Sequence, residues 1–220
     1  AHCRLPVADI VADDGQRIDQ LLFGEAFDIL ERRQDRAWGR ARRDGVVGWV
    51  SLEALAPGAP LATRRVASVS AALPLNALIG DDAQGLADSD LQSIGAFERD
   101  LVAVAERLLG RPHALGARSS LETDCSGLVQ VALGECGIAV PRDTDLQCEG
   151  IGAPIEASVP LQRGDLVFFP GHVGIMTDAT HMLHANAHWM AVVVEPLADV
   201  VARLAPDHEQ PIIARRRIAP

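Results

Sequence analysis

Over the first quarter of the chain, apolar and polar residues alternate in short runs at Arg4–Val11, Leu21–Leu30, Trp38–Arg42 and Val46–Val50, the period-two pattern of half-buried strands. Asp44-Gly45 between the last two runs is a tight-hairpin signal, and the Ala/Gly/Pro stretch Ala56–Pro60 closes the series. Together they predict a small antiparallel barrel over residues 1–57. Residues 58–95 are less regular, with Val66–Leu78 strand-like and the acidic Asp81–Asp90 loop-like. Because roughly 35 residues is short for a second barrel, the expectation there is a degenerate barrel segment or an ordered linker.

At Phe97 the period changes. Phe97, Leu101, Val104 and Leu108 recur at i, i+4, i+7 and i+11 until Gly110-Arg111-Pro112, predicting a first helix. A second helical pattern opens at Ser126-Gly127 and stops near Gly137, and Pro141–Gln147 reads as a short third. Leu166–Phe169, Val173–Thr177, Met182–Ala185 and Ala191–Glu195 then read as strands. Helices grouped ahead of an antiparallel sheet give residues 96–220 an α+β class.

The chemistry concentrates at the start of the second helix, in Thr123-Asp124-Cys125-Ser126-Gly127. At a helix N-terminus, unpaired N–H groups and the positive end of the dipole favour a thiolate over a thiol, and such surroundings bring a cysteine to a pKa of roughly 3.5–7.5. Cys125 is therefore a candidate nucleophile. Two downstream strands carry His172 and His184, and a hairpin centred on Asp178 sets these imidazoles opposite each other on one face. His172 as base and His184 as its orienter complete the nucleophile, base and orienter logic of a cysteine hydrolase. Asn186, two residues beyond His184, either helps to orient an imidazole or is a turn residue.

Composition narrows the partners. The 220 residues are 48% hydrophobic and 23% charged, ordinary values for a globular chain able to bury a core. Net charge is −10, pI is near 5.1, and lysine is absent, so nucleic acid and anionic membranes are not expected partners. Cys3, Cys125, Cys136 and Cys148 include no CxxC pair, which suggests reduced thiols in a cytoplasmic setting, with a periplasmic or secreted protein as the alternative if a leader was removed. His181, His184 and His188 have a spacing that would suit zinc only on a helix, and their neighbours read as strand and turn, so no metal is expected.

Asp-Cys-Ser-Gly-Leu-Val at 124–129, Arg163-Gly164-Asp165-Leu166-Val167-Phe168-Phe169, Gly171–Met176 and Leu183-His184-Ala185, in this order and spacing, resemble the NlpC/P60 cysteine peptidases over about residues 98–195. Leu22-Phe23-Gly24-Glu25, Trp38-Gly39-Arg40 and Gly48-Trp49-Val50 resemble bacterial SH3 domains, which often precede that domain. The resemblance implies a papain-like catalytic domain behind an SH3-like barrel. It also implies hydrolysis of the γ-D-glutamyl to diamino-acid bond of cell-wall peptides, with no cofactor. In relatives carrying SH3 domains, the residues matching Asp124 and Ser126 hold the free amine of an N-terminal L-Ala, which points to free muropeptides and peptidoglycan recycling. The bland alternative makes Ser126 a helix-start hydroxyl and Asp124 a charge beside the dipole.

One departure stands out. The family usually places a Tyr twelve residues before the nucleophile, whereas here the segment reads His113-Ala114-Leu115-Gly116-Ala117. His113 is thus a candidate oxyanion donor alongside the Cys125 backbone N–H. Arg118 and Arg142, flanking the Cys125 helix in sequence, are candidates to receive substrate carboxylates. The alternative functions are an amidase or acyltransferase on the same Cys-His site, or a catalytically weakened muropeptide-binding protein.

Overall fold

A computed structural model of the chain describes residues 1–59, 61–80 and 85–218. Its chain divides into two units, one made of residues 1–97 with 115–122, the other of 98–114 with 123–220.

In the N-terminal unit, alternation does what the sequence pattern requires. Along β5 (Arg36–Ala41), Ala37, Gly39 and Ala41 face inward while Arg36 and Arg40 face water. The preceding strands are β1 (His2–Cys3), β2 (Val7–Val11), β3 (Arg17–Leu22) and β4 (Phe27–Arg33), and β6 (Val47–Ser51) and β7 (Leu55–Ala56) follow. Five of them form an antiparallel sheet in the order β3-β2-β6-β5-β4, with β1 paired to β7, around Ile10, Leu21, Phe27 and Val50. The expected single strand Leu21–Leu30 is broken at Gly24. That glycine has φ +80° and lies so close to Leu78 that a Cβ would stand 2.2 Å from its carbonyl oxygen, so the chain turns and starts β4.

The Val66–Leu78 stretch is also not one strand. β8 (Arg64–Val66), β9 (Leu78–Ile79) and β10 (Leu91–Ser93) form a three-stranded antiparallel sheet in the order β10-β8-β9. Val66, Ala77 and Ile79 make its own small core, against which Phe23 and Leu91 pack. Pro60, at the end of the Ala56–Pro60 punctuation, and residues 81–84 of the acidic Asp81–Asp90 stretch lie outside the described residues.

The C-terminal unit is α+β, as expected. α1 (Leu101–Glu106) begins at Asp100, whose carboxylate caps the N–H groups of Val102 and Ala103. Phe97 is not part of it: the ring is 52% exposed, belongs to the N-terminal unit and lies under the Arg65 guanidinium, 5.5 Å away. α2 (Cys125–Glu135), buried along most of its length, packs on α1 and on the central strands. α3 (Thr144–Gly150) is followed by β11 (Ala153–Pro154), β12 (Leu166–Phe169), β13 (His172–Met176), β14 (His181–Asn186) and β15 (Ala191–Pro196).

Two further elements follow. α4 (Leu197–Leu204) carries Leu197, Val200, Val201 and Leu204 onto the sheet face of Val167, Phe169, Met176 and Met182. β16 (Ala214–Arg217) inserts between β11 and β12, completing a six-stranded antiparallel sheet in the order β11-β16-β12-β13-β14-β15. Its Arg217 is paired with buried Asp165 at 2.7 Å.

Candidate active site

Cys125 is the first residue of α2. Asp124 is its N-cap, accepting the Gly127 N–H at 2.8 Å. The Cys125 sulfur receives the Val173 backbone N–H, and Thr144 Oγ1 lies 3.9 Å away. The β13–β14 pairing, Ile175↔Leu183 and Met176↔Met182, stops short of Val173, so this N–H serves the thiol. Contrary to the sequence expectation, the thiol is pushed up from its ordinary value. Burial is the main cause and the Asp124 charge adds to it, against the opposing N–H groups of Val173 and Ser126 and the Thr144 hydroxyl.

His172, the neighbour of Val173, starts β13. Its Nε2 lies 2.8 Å from Nδ1 of fully buried His184 on β14, and the rings meet edge to face with centroids 5.0 Å apart. The hairpin register differs from the expected one by two residues, because Thr177 pairs with His181 and Asp178 caps the N–H groups of Thr180 and His181. Carried on, that register sets His184 across from Gly174. A displacement of two preserves the face, so the imidazoles meet diagonally. Burial, then the neighbouring imidazoles of His184 and His113, hold His172 down at about 3, and His184 is lowered mainly by burial.

Behind the imidazoles, His184 Nε2 lies 2.8 Å from Glu195 Oε1 on β15. Arg203 of α4 donates to both Glu195 oxygens, and Trp189 Nε1 reaches Oε2 at 3.4 Å. Asn186 Nδ2 is 3.2 Å from His184 Nε2 and 3.3 Å from Glu195 Oε1, and its Oδ1 accepts the His188 N–H. Asn186 therefore touches the imidazole assembly and also holds the turn.

His113 lies in an extended segment between Thr123 and Met190. It bridges Thr123 in parallel, and its N–H donates to the Met190 carbonyl at 3.0 Å. Its half-buried imidazole is lowered in pKa by burial, against the raising charge of Asp124, so it is a neutral N–H donor at pH 7.

Asp124 is 5% exposed and already paired with a cation: Arg142 Nη1 donates to Oδ1 at 3.0 Å and Nη2 to Oδ2. The Ser126 hydroxyl lies 2.7 Å from Arg142 Nη1 and 3.3 Å from Asp124 Oδ1. The expectation that Arg118 meets substrate carboxylates is corrected. Arg118 is 2% exposed within the N-terminal unit, where its guanidinium pairs with Glu25 and its backbone N–H donates to Gln20. A cation so enclosed and matched has nothing to offer an incoming anion. Arg142 is committed to Asp124 in the same way. Among the described residues no three His, Cys, Asp or Glu side chains gather as metal ligands, and no helix is long and apolar enough to cross a membrane.

Residues 110–202 match the model of the NlpC/P60 family, and residues 11–55 that of the bacterial dipeptidyl-peptidase SH3 domain. The C-terminal unit carries an NlpC/P60 domain. Dipeptidyl-peptidase 6 of Lysinibacillus sphaericus is 35% identical over 91 residues, 41% of this chain and 33% of that protein. A Mycobacterium tuberculosis protein named a probable endopeptidase is 33% identical over 106 residues, 47% of this chain and 27% of that one. The chain spans about a third or less of the length of these curated relatives. In fold, a Bacillus cereus NlpC/P60 family crystal structure matches with a TM-score of 0.82 over 100% of this chain and 99% of that one, at 18% identity.

Glu195, Arg203 and Trp189 are site residues that no motif in the sequence marks. The signal available for Glu195 was a lone carboxylate ending the apolar run Val192-Val193-Val194, since a charge on a strand that is otherwise apolar needs a buried partner or a surface. Arg203 closes the amphipathic pattern of α4, where a basic residue in the last turn is ordinary.

Proposed function

We propose that the NlpC/P60 domain is a cysteine peptidase cleaving the γ-D-glutamyl to diamino-acid amide bond of bacterial cell-wall peptides. The observation that carries this reading is the placement of Cys125 at the start of α2, against the Val173 N–H, with the hydrogen-bonded His172–His184 pair beginning at the adjacent residue. A raised thiol and a lowered imidazole favour a neutral pair at rest, so the proton leaves Cys125 for His172 as the sulfur attacks the amide carbon. The Cys125 N–H and the His113 imidazole donate to the developing oxyanion. His172 then returns the proton to the departing amine, and water releases the acyl group.

The substrate proposed is a free muropeptide with an N-terminal L-Ala, as peptidoglycan recycling would supply. Arg142 already neutralises Asp124, so the amine is read beside an Arg142–Asp124–Ser126 cluster rather than by a bare carboxylate. All four cysteines are free thiols, which suits a reducing compartment, and the cytoplasm is the proposed location.

The test is incubation with L-Ala-γ-D-Glu-diaminopimelate followed by mass analysis. Release of L-Ala-D-Glu and free diamino acid is expected, and an unchanged tripeptide would overturn the reading. An N-acetylated tripeptide should react more slowly by an order of magnitude or more, since losing a charge-assisted contact costs about 1.5–3 kcal/mol. Equal kcat/KM for the two would remove the free-amine specificity.

A further inference from the structure

We propose that Glu195, held by Arg203, is a positioning residue that fixes which nitrogen of each active-site imidazole carries the proton, so that His172 presents a bare Nδ1 toward Cys125. The inference rests on the cysteine-peptidase reading above and adds to it the order of protons along the line.

The order follows from one carboxylate. Glu195 is 8% exposed, with Oε1 at 2.8 Å from His184 Nε2 and 3.0 Å from Arg203 Nη1. Burial alone would raise its pKa, but hydrogen bonds from Arg203, Trp189 and His184 outweigh burial and hold it at about 2. It is therefore an anion at neutral pH and can only accept. His184 Nε2 must then donate. A neutral imidazole has one N–H, so His184 Nδ1 is a lone pair, and the 2.8 Å contact to His172 Nε2 requires the proton to sit on His172. Neutral His172 in turn has a bare Nδ1, the atom that takes the thiol proton. Among the described residues, that Nδ1 has no hydrogen-bond partner.

An amide in place of the carboxylate removes the constraint. The Glu195→Gln side chain can donate or accept, so both imidazoles are free to reverse and leave a proton on His172 Nδ1. Where a triad carboxylate contacts its histidine directly, the analogous change costs about 10⁴-fold in kcat by selecting the wrong tautomer. With a second imidazole interposed, on the order of 10²-fold is expected, with KM little changed. The titratable and charged groups bearing on the two rings are His113 from the extended segment, Arg203 on α4 and Glu195 on β15. Of these only Glu195 is an anion, so its loss also moves the acid limb of the kcat profile to lower pH.

The experiment uses the full chain in two parallel measurements. Nitrogen-15 NMR of histidine-labelled protein reads tautomers directly, and tripeptide hydrolysis across pH reads kcat and KM for wild type, Glu195→Gln and Glu195→Asp. Nε2–H tautomers for both His172 and His184 in wild type are expected, with an altered tautomer and the kcat loss in Glu195→Gln and partial recovery in Glu195→Asp. Wild-type His172 protonated on Nδ1 overturns the proposal even if the Gln variant does not fold. Unchanged tautomers in Glu195→Gln, or changed tautomers at full kcat, overturn it as well. A wild type that cleaves no tripeptide sinks the peptidase reading instead, while the NMR arm still judges Glu195.

Discussion

Both units bury charged or polar groups, and they use them differently. In the N-terminal unit, Arg118 and Arg43 face Asp19, Glu25 and Asp44, with Arg43 donating to all three acids and Arg118 paired to Glu25. Each acid meets a guanidinium, and the result is a closed cluster that fastens residues 115–122 to the barrel strands. In the NlpC/P60 domain the line Arg203–Glu195–His184–His172 is closed at the arginine and open at the far imidazole nitrogen. Carboxylates matched with guanidinium groups hold a shape. Weak bases with depressed pKa values, ended by an unsatisfied atom, can move a proton.

The sharpest way to break this contrast is Cys125→Ser. Loss of tripeptide cleavage by on the order of 10⁴-fold or more is expected, with the urea midpoint within experimental error of wild type. Undiminished turnover would show that the open line is not where the reaction occurs. Arg118→Met tests the closed cluster: it takes one of two guanidinium partners from buried Glu25 and Asp19, leaving Arg43, and unfolding stability in urea should fall by about 3 kcal/mol. A loss under about 1 kcal/mol would mean that the cluster does not fasten the 115–122 segment.

His113→Ala comes next, expected to lower kcat by roughly 10²–10³-fold with little change in KM, while His113→Tyr preserves or raises it. Wild-type behaviour in the alanine variant would remove the oxyanion role. The smallest effect is in pH. His172 and His184 have folded pKa values below the unfolded value of ~6.5. The unfolded chain therefore binds protons that the native state refuses, and stability is full above ~6.5 and is lost as pH falls toward His172's folded value of about 3. Urea midpoints of wild type and His172→Asn should converge at acid pH; parallel curves would contradict buried neutral imidazoles.

Much of this was legible in the chain. The barrel, the Cys125 helix and the histidine strands follow from alternation, punctuation and the Asp-Cys-Ser-Gly run, whereas the cap at Asp124 shows only in the structure. The His172–His184 contact was legible despite a register displaced by two, because only odd displacements change the face. Other features were set by contacts distant in sequence. Arg118 lies seven residues before Cys125, yet it pairs with Glu25, and proximity in sequence carried no information about that. Phe97 fits a helical stripe by spacing, but Asp100 supplies the cap and the helix starts after it. β16 is formed by Ala214-Arg215-Arg216-Arg217, where no period shows in the sequence, since its place depends on Asp165 accepting Arg217.

The membership of residues 115–122 in the N-terminal unit has a consequence for how the protein is made. The ribosome delivers residues 1–97 first, and at that moment Asp19 and Glu25 have Arg43 but not Arg118. The unit is completed only after α1 and the His113 segment have been synthesised, when Gly116, at φ +74°, brings the chain against the Arg17 carbonyl and Arg118 follows. A nascent chain paused before residue 118 therefore holds a barrel with two under-neutralised buried acids. The first unit is complete only with a segment that lies between His113 and Cys125 in the chain, so neither unit is a cassette that can be cut out at residue 97.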